Sequence, residues 1–169
     1  MSLFWYVLHS KPNREELLFS ELRHREIETY YPRLRVNPVN PRSRKVVPFF
    51  PGYLFIQVDL DQTSLSSLMW VPGANRMITF DYEPATVPED VIDALKAKVS
   101  EINSAGGSQK NRLKHGDPVR IKSGPFKGYD AIFDQNLDGT SRVRILIKML
   151  RDRQMRVEVP EGLVSPQQS

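Results

Sequence analysis

Residues 48–58 read Pro-Phe-Phe-Pro-Gly-Tyr-Leu-Phe-Ile-Gln-Val and place four aromatic rings around a Pro-Gly turn. Rings concentrated at one turn indicate a binding face, because a core usually spreads its rings along its elements. The strand predicted after the turn puts Tyr53 and Phe55 on one face, and Leu54 and Ile56 on the other. Both faces are apolar and need a cover. From this pattern alone, packing in the core and docking of a partner explain the aromatic face equally well.

Strands and helices are predicted to alternate on either side of this stretch. Asn13 is the expected N-cap of the first helix, with Glu16 three residues on completing a capping box. The predicted strands are 4–10, 53–59 and 75–82, and the further predicted helices are 63–69 and 88–102. This order predicts an α+β fold, in which an N-terminal α/β sandwich has an antiparallel sheet flanked by helices.

A basic segment precedes the aromatic turn. Residues 32–48 contain four prolines, which predict an extended loop without a regular interior element. No acidic residue lies between Thr29 and Val58, whereas Arg42, Arg44 and Lys45 are all present. This charge pattern favours contact with phosphates over a merely solvated loop.

The last third of the chain is predicted to form a second domain. Residues 104–113 contain two adjacent glycines and no apolar periodicity, so they predict a flexible linker between domains at 1–103 and 114–169. Asp138-Gly139 predicts a hairpin turn, and apolar residues alternate with basic ones after it. Five short strands in a small β-barrel are therefore favoured. Residues 142–159 also fit helical spacing, and the strand is preferred about four to one because β-branched residues are frequent.

Composition and motifs argue against an enzyme. The net charge of +4 and the pI of about 9.4 suit a polyanionic partner, and the absence of cysteine excludes disulfides and thiolate metal sites. The three histidines are dispersed, and no nucleophile elbow or phosphate-binding loop is present. No catalytic residue, cofactor or metal is therefore predicted. The sequence predicts a soluble, cytoplasmic monomer without a membrane-spanning helix.

Four motifs resemble the NusG family of bacterial transcription elongation factors, and within it the RfaH-like specialised paralogues. They are Trp5-Tyr6-Val7-Leu8, Phe50-Pro51-Gly52-Tyr53-Leu54-Phe55, Pro84-Ala85-Thr86-Val87-Pro88, and a KOW-type segment from Gly116 to Gly128. The resemblance covers almost the whole chain. It implies an N-terminal NGN domain and a C-terminal KOW domain, with a C-terminal helical hairpin packed on the first domain as the RfaH-like alternative.

The resemblance also implies partners and site residues. The clamp helices of the largest RNA polymerase subunit would dock on an apolar pocket formed by Phe50, Tyr53, Phe55, Ile92 and Leu95. Such docking would keep the clamp closed and suppress pausing or termination. This implication favours a partner surface over a simple core for the aromatic face.

Further contacts follow from the same resemblance. The segment that makes a second polymerase contact in RfaH-like proteins aligns with Ser64, Leu65 and Ser66. The non-template DNA strand would meet a set of basic residues, namely Lys11, Arg14, Arg76, Arg42, Arg44 and Lys45. A small-subunit ribosomal protein or the Rho factor would meet residues of the C-terminal domain, namely Phe126, Ile147, Leu150 and Arg151. Three departures from the RfaH-like pattern are Glu21, Val47 and Val71-Pro72. Because Val47 replaces a glutamate that holds the closed form, the open barrel or a weakly held closed form is expected. The alternative function is a standalone KOW-type protein that binds RNA or the ribosome.

Overall fold

The computed structural model describes residues 3–36, 42, 46–105, 130–134 and 136–158. The strands are β1 (Phe4–Ser10), β2 (Glu28–Tyr30), β3 (Arg33–Arg35), β4 (Val46–Pro48), β5 (Tyr53–Val58), β6 (Ala74–Met77), β7 (Thr79–Phe80), β8 (Glu83–Pro84) and β9 (Thr86–Val87). The helices are α1 (Glu15–His24), α2 (Leu65–Met69), α3 (Glu89–Ser104) and α4 (Gly139–Glu158), and a 3-10 turn covers Asp130–Phe133.

The main sheet is antiparallel and has β1 near its centre. The strand order is β2-β5-β1-β6, and β9 also pairs with β1. Val7 lies opposite Phe55 in the β1–β5 pair, and Leu8 lies opposite Leu54. Because side chains alternate along a strand, this register sends each apolar pair to a different face of the sheet.

Two hydrophobic clusters cover the two faces. Leu54 and Ile56 pack with residues of α1 and α2 on one face, whereas Phe55 packs with residues of α3 and α4 on the other. The division of the β5 side chains predicted from the sequence is therefore confirmed. The described residues form an α+β fold with helices on both faces of an antiparallel sheet.

The start of α1 differs from the prediction. Arg14 occupies the N-cap position, and no side chain caps the helix. Asn13 instead takes a left-handed backbone conformation, with φ of 57°, in the preceding turn. The predicted Asn13–Glu16 capping box is therefore wrong, because asparagine tolerates this conformation and serves the turn.

Two other predictions need correction, one of a loop and one of a strand. Within the 32–48 segment, β3 and β4 pair as a two-stranded ribbon, with Leu34 opposite Val47. Pro48 itself belongs to β4, opposite Arg33, because a proline is tolerated in an edge strand, and three residues on each side suffice for pairing. The single strand predicted over 75–82 is divided into β6 and β7, and β7 turns back through a hairpin into β8.

The C-terminal segment shows the largest difference. Residues 139–158 form one 20-residue helix, α4, where alternating strands of a barrel were preferred. Asp138 does not start a hairpin turn; its carboxylate accepts a 2.7 Å hydrogen bond from the Ser141 N–H at the start of α4. The strand prediction is wrong for these residues, and a helix packed on the first domain, as in the alternative, is what is found. The second helix that a helical hairpin would need lies outside the described residues, as does most of the predicted 104–113 linker.

Candidate functional site

The five residues predicted to form a pocket converge on one face of the sheet. Phe50, Phe55, Ile92 and Leu95 have no exposed surface, and Tyr53 is half-buried beside them. β5 positions Phe55, while α3 carries Ile92 and Leu95 in successive turns. The Phe50 and Phe55 rings meet edge to face, with centroids 5.7 Å apart, which is a favourable aromatic geometry.

Helix α4 covers this pocket. Its Leu146 and Leu150 are buried in the same cluster as the pocket residues, as is Ile132 in the 3-10 turn. The spacing of four residues puts Leu146 and Leu150 on one face of α4, whereas Arg144 and Lys148, each two residues before one of these leucines, are exposed. The expectation of an uncovered aromatic face is therefore not met in this structure, in which the chain supplies its own cover.

A buried arginine lies at the edge of the cover. Arg142 on α4 is only 4% exposed, and its guanidinium carbon lies 4.0 Å from the centre of the Phe49 ring. Its Nη1 donates a 3.0 Å hydrogen bond to the Phe49 carbonyl, and Nε lies 3.4 Å from the Asp134 carbonyl oxygen. Burial lowers the pKa of Arg142 to about 10, against the raising effect of Asp134 and Asp138, so the group still carries its charge at neutral pH.

α4 approaches the sheet region at two further points, one at its first residue and one at Gln154. A Cβ added to Gly139 would come within 2.5 Å of the Pro51 ring, so only glycine allows this close approach of α4 to the aromatic turn. Further along α4, Gln154 Nε2 lies 3.4 Å from the Glu83 carboxylate in the β7–β8 hairpin. These contacts fix α4 over the pocket along its described length.

The predicted DNA-contacting residues of the first domain gather at one end of β1. Lys11, Arg14 and Arg76 are all exposed. The Lys11 N–H donates a 2.8 Å hydrogen bond to the Gly73 carbonyl, and His9 lies opposite Arg76 in the β1–β6 pair. Burial and, to a lesser degree, Arg76 lower the pKa of His9, so its ring is neutral at pH 7.

The remaining predicted contact residues are distributed as follows. Ser64 is the N-cap of α2, where its side-chain oxygen accepts from the Ser67 N–H, and Leu65 and Ser66 are exposed in the first turn. Arg42 is exposed, whereas Arg44, Lys45 and Phe126 lie outside the described residues. On α4, Ile147 is half-buried, Leu150 is buried and Arg151 is exposed, so the three do not form one accessible surface here.

Two residues of interest were not singled out from the sequence. The spacing of Arg142, four residues before Leu146 and eight before Leu150, places it on their helix face and is the sequence signal that marks it. Trp70 follows a short helix and belongs to no motif, yet the residue is 85% exposed. Only the structure shows which of the two tryptophans is outside.

Neither a metal site nor a membrane span is found among the residues that the structure describes. No group of three potential metal ligands comes together in this part of the chain. The helices described are likewise too short or too polar to cross a bilayer.

The geometry defines an α+β domain that holds an amphipathic helix of its own chain on an aromatic face. The family model described as "Transcription termination factor nusG" matches residues 3–96, and the chain belongs to this NusG family. The family comprises transcription factors and not enzymes.

Individual relatives agree with this assignment. "Transcription termination/antitermination protein NusG" of Helicobacter pylori strain J99 is 28% identical, with 78% of this chain and 80% of that protein covered. The protein of the same name from Thermus thermophilus is 24% identical, with coverages of 87% and 90%. The solved structure titled "Domain interaction in Thermotoga maritima NusG" aligns with a TM-score of 0.46 at 18% identity, covering 75% of this chain and 76% of that one.

Proposed function

We propose that this protein is a transcription elongation and antitermination factor that binds the clamp helices of the largest RNA polymerase subunit. The site is the apolar pocket of Phe50, Tyr53, Phe55, Ile92 and Leu95. Binding there keeps the clamp closed and suppresses pausing or termination, because a ligand that binds one state better shifts the population towards it. The names of the relatives, which are termination/antitermination proteins, support this role.

The observation that carries the proposal is the helix already in the pocket. Leu146 and Leu150 of α4 enter the cluster that contains Phe50 and Phe55. A groove that accepts one amphipathic helix through residues four apart has the shape and chemistry to accept another. A helical prong of the polymerase would replace α4 and bury the same rings.

This competition implies that the free protein is held inactive, as in the RfaH-like paralogues. α4 and the clamp helices need the same apolar surface and cannot occupy it together. The glutamate that holds the closed form in the RfaH-like pattern is replaced here by Val47, so an ion pair from that position cannot hold α4. Stacking of Arg142 on Phe49 and its bond to the Phe49 carbonyl would serve instead.

Two further contacts belong to the proposal. Ser64, Leu65 and Ser66 would touch the opposite side of the polymerase cleft, for which the exposed first turn of α2 is suited. The non-template DNA strand would run over Lys11, Arg14 and Arg76, joined by the basic segment with Arg42, Arg44 and Lys45.

Displacement of α4 would also free the C-terminal segment for another partner. Leu150 is buried against the first domain and becomes available only after α4 leaves. Once released, Phe126, Ile147, Leu150 and Arg151 would bind a small-subunit ribosomal protein or the Rho factor. A standalone RNA- or ribosome-binding protein is less well supported, because the described C-terminal residues are helical and packed on the first domain.

A matched pair of tyrosine variants tests the pocket. Tyr53→Ala removes a half-buried ring at the pocket edge and is expected to reduce co-purification with a transcription elongation complex by about tenfold or more. Tyr82→Ala removes a fully exposed ring in the β7–β8 hairpin and should leave binding unchanged. Far-UV circular dichroism checks that both variants keep the fold. Wild-type binding by Tyr53→Ala would refute the pocket assignment.

A further inference from the structure

Trp70 is a large aromatic side chain held outside the fold by an ordered backbone. It follows α2 directly, and its N–H donates a 3.2 Å hydrogen bond to the Ser67 carbonyl. The next residue, Val71, is buried with 4% exposure, whereas the Trp70 side chain is 85% exposed. Burying an indole in the fold would have released considerable free energy, so a tryptophan kept in water at a fixed position indicates a contact with something else.

The turn after Trp70 is pressed against the start of α1. Gly73 has a φ of 92°, and a Cβ placed there would lie 3.1 Å from the Arg14 carbonyl oxygen. The Gly73 carbonyl accepts the hydrogen bond from the Lys11 N–H. Trp70 is therefore three residues from a turn that lies beside two exposed cationic residues.

Strand β6 extends this surface with polar groups. Arg76 is exposed and lies opposite His9 across the β1–β6 pair. Asn75 Nδ2 lies 2.7 Å from His9 Nδ1, and since an amide nitrogen only donates, Nδ1 accepts this hydrogen bond. Glu15 of α1, whose charge also acts on His9, accepts the Gly52 N–H at 2.9 Å.

We propose that Trp70 is a stacking platform for an unpaired base of single-stranded DNA, with Lys11, Arg14 and Arg76 holding the adjacent phosphates. An exposed aromatic ring beside several cations is the combination that binds single strands, since every base offers a face for stacking and every phosphate a charge. The proposal rests on the proposed function in one respect: transcription supplies the strand as the non-template strand of the bubble.

Among the residues that the structure describes, Tyr82 is also a highly exposed aromatic residue and provides a contrast. Tyr82 is 100% exposed, but it stands between Asp81 and Glu83 in the β7–β8 hairpin. Two carboxylates next to the ring repel a phosphate backbone, so exposure alone does not select Tyr82 as a DNA contact. The charge around the ring distinguishes the two sites.

The chain contains its own reporter for this test. It has two tryptophans, of which Trp5 is 4% exposed and Trp70 is 85% exposed. Stacking of a base on the exposed indole should quench the red-shifted part of the fluorescence of the full-length protein. The probe is a single-stranded oligodeoxythymidine, compared at low salt with a duplex of the same length and with oligouridine.

Variants separate stacking from charge. Trp70→Ala should weaken single-strand binding, followed by anisotropy of a labelled oligonucleotide, by about tenfold, whereas Trp70→Phe should retain most of the affinity but lose the quenching. Lys11→Ala should instead reduce the slope of log K against log salt by about 0.7, and Trp70→Ala should leave that slope unchanged. Tyr82→Ala serves as the matched control and should change neither quantity.

Some outcomes would overturn the inference. Unchanged DNA affinity in Trp70→Ala, tighter binding of the duplex, or tighter binding of oligouridine would each refute a single-stranded DNA platform at Trp70. The result is separable from the polymerase proposal. If Tyr53→Ala bound polymerase like wild type while DNA still quenched Trp70, the clamp-binding pocket alone would be refuted. If Tyr53→Ala lost polymerase binding while DNA did not quench Trp70, the Trp70 platform alone would be refuted.

Discussion

Arg142 places a positive charge inside an otherwise apolar contact between α4 and the first domain. Desolvation of the guanidinium opposes this placement, which is why its pKa falls to about 10. The Phe49 ring and the Phe49 carbonyl oxygen offset the cost, since both present negative charge to the guanidinium. The closed arrangement therefore depends on a directional contact as well as on burial of leucines.

Arg142→Ala should loosen α4. The variant loses the ring stacking and leaves the buried Phe49 carbonyl without this donor, so we expect a loss of about 2 kcal/mol in the docking of α4. Amide hydrogen exchange would then be about 30-fold faster in α4 and unchanged in β1 and β5. Lysine lacks the planar fork and should restore only part of the protection in Arg142→Lys. Equal protection in wild type and Arg142→Ala would contradict this role.

At the scale of elements, the sequence predicts what the periodicity specifies without ambiguity. The helix expected over 88–102 is confirmed as α3, and the two-faced strand is confirmed as β5. The shortfall concerns α4, whose segment satisfies both a period of two and a helical spacing. Intrinsic β-propensity favoured the strand, but packing of Leu146 and Leu150 on the pocket outweighs that small preference. A local sequence pattern does not show the energy that a segment gains by packing on a surface distant in sequence.

The same limit applies to the candidate site. Tyr53 and Phe55 could be selected from the sequence because aromatic residues cluster at the turn. The helix that covers these rings could not be predicted, since residues 48–58 and α4 are separated by about 80 positions and only folding brings them together. Likewise, the exposure of Trp70 depends on how Val71 anchors the turn behind it.

Asp138 makes the stability of α4 depend on pH. Its pKa is lowered mainly by the hydrogen bond from the Ser141 backbone, so its carboxylate stabilises the helix start when ionised. For a lowered folded-state pKa, this stabilisation is complete above the unfolded pKa and is lost as the pH falls through the folded one. The contribution of Asp138 is therefore constant near neutrality and disappears in acid, below the ordinary pKa of an aspartate.

Two substitutions check this prediction. Asp138→Ala should reduce the helical NMR chemical shifts of α4 at pH 7 as well as in acid, because the cap is absent throughout. Asp138→Asn keeps an uncharged cap and should lose the part of the acid sensitivity that wild type owes to this residue. A wild-type α4 that melts in acid to the same extent as Asp138→Asn would exclude Asp138 as the group responsible.

For the whole molecule, the proposed function requires an equilibrium between the closed form, in which α4 covers the pocket, and an open form that binds polymerase. The apparent dissociation constant is the intrinsic one divided by the open fraction, so any change that releases α4 should tighten binding without touching the pocket. In this proposal, α4 and the clamp helices exclude one another from the same rings, and this competition links the C-terminal helix to polymerase binding. The sheet and the helices α1, α2 and α3 need not change for the site to open.

Leu150→Asp tests this link directly. Leu150 is 1% exposed, and a carboxylate there would have to be buried without a partner, so α4 should leave the pocket. We expect polymerase to bind this variant more tightly than wild type, and adding Tyr53→Ala should remove the gain because the exposed pocket is then defective. Arg144→Asp places the same charge on the exposed face of α4 and serves as the matched control, with wild-type affinity expected. If Leu150→Asp bound polymerase no better than Arg144→Asp, while exchange confirmed that α4 had been released, the pocket beneath α4 would not be the polymerase site.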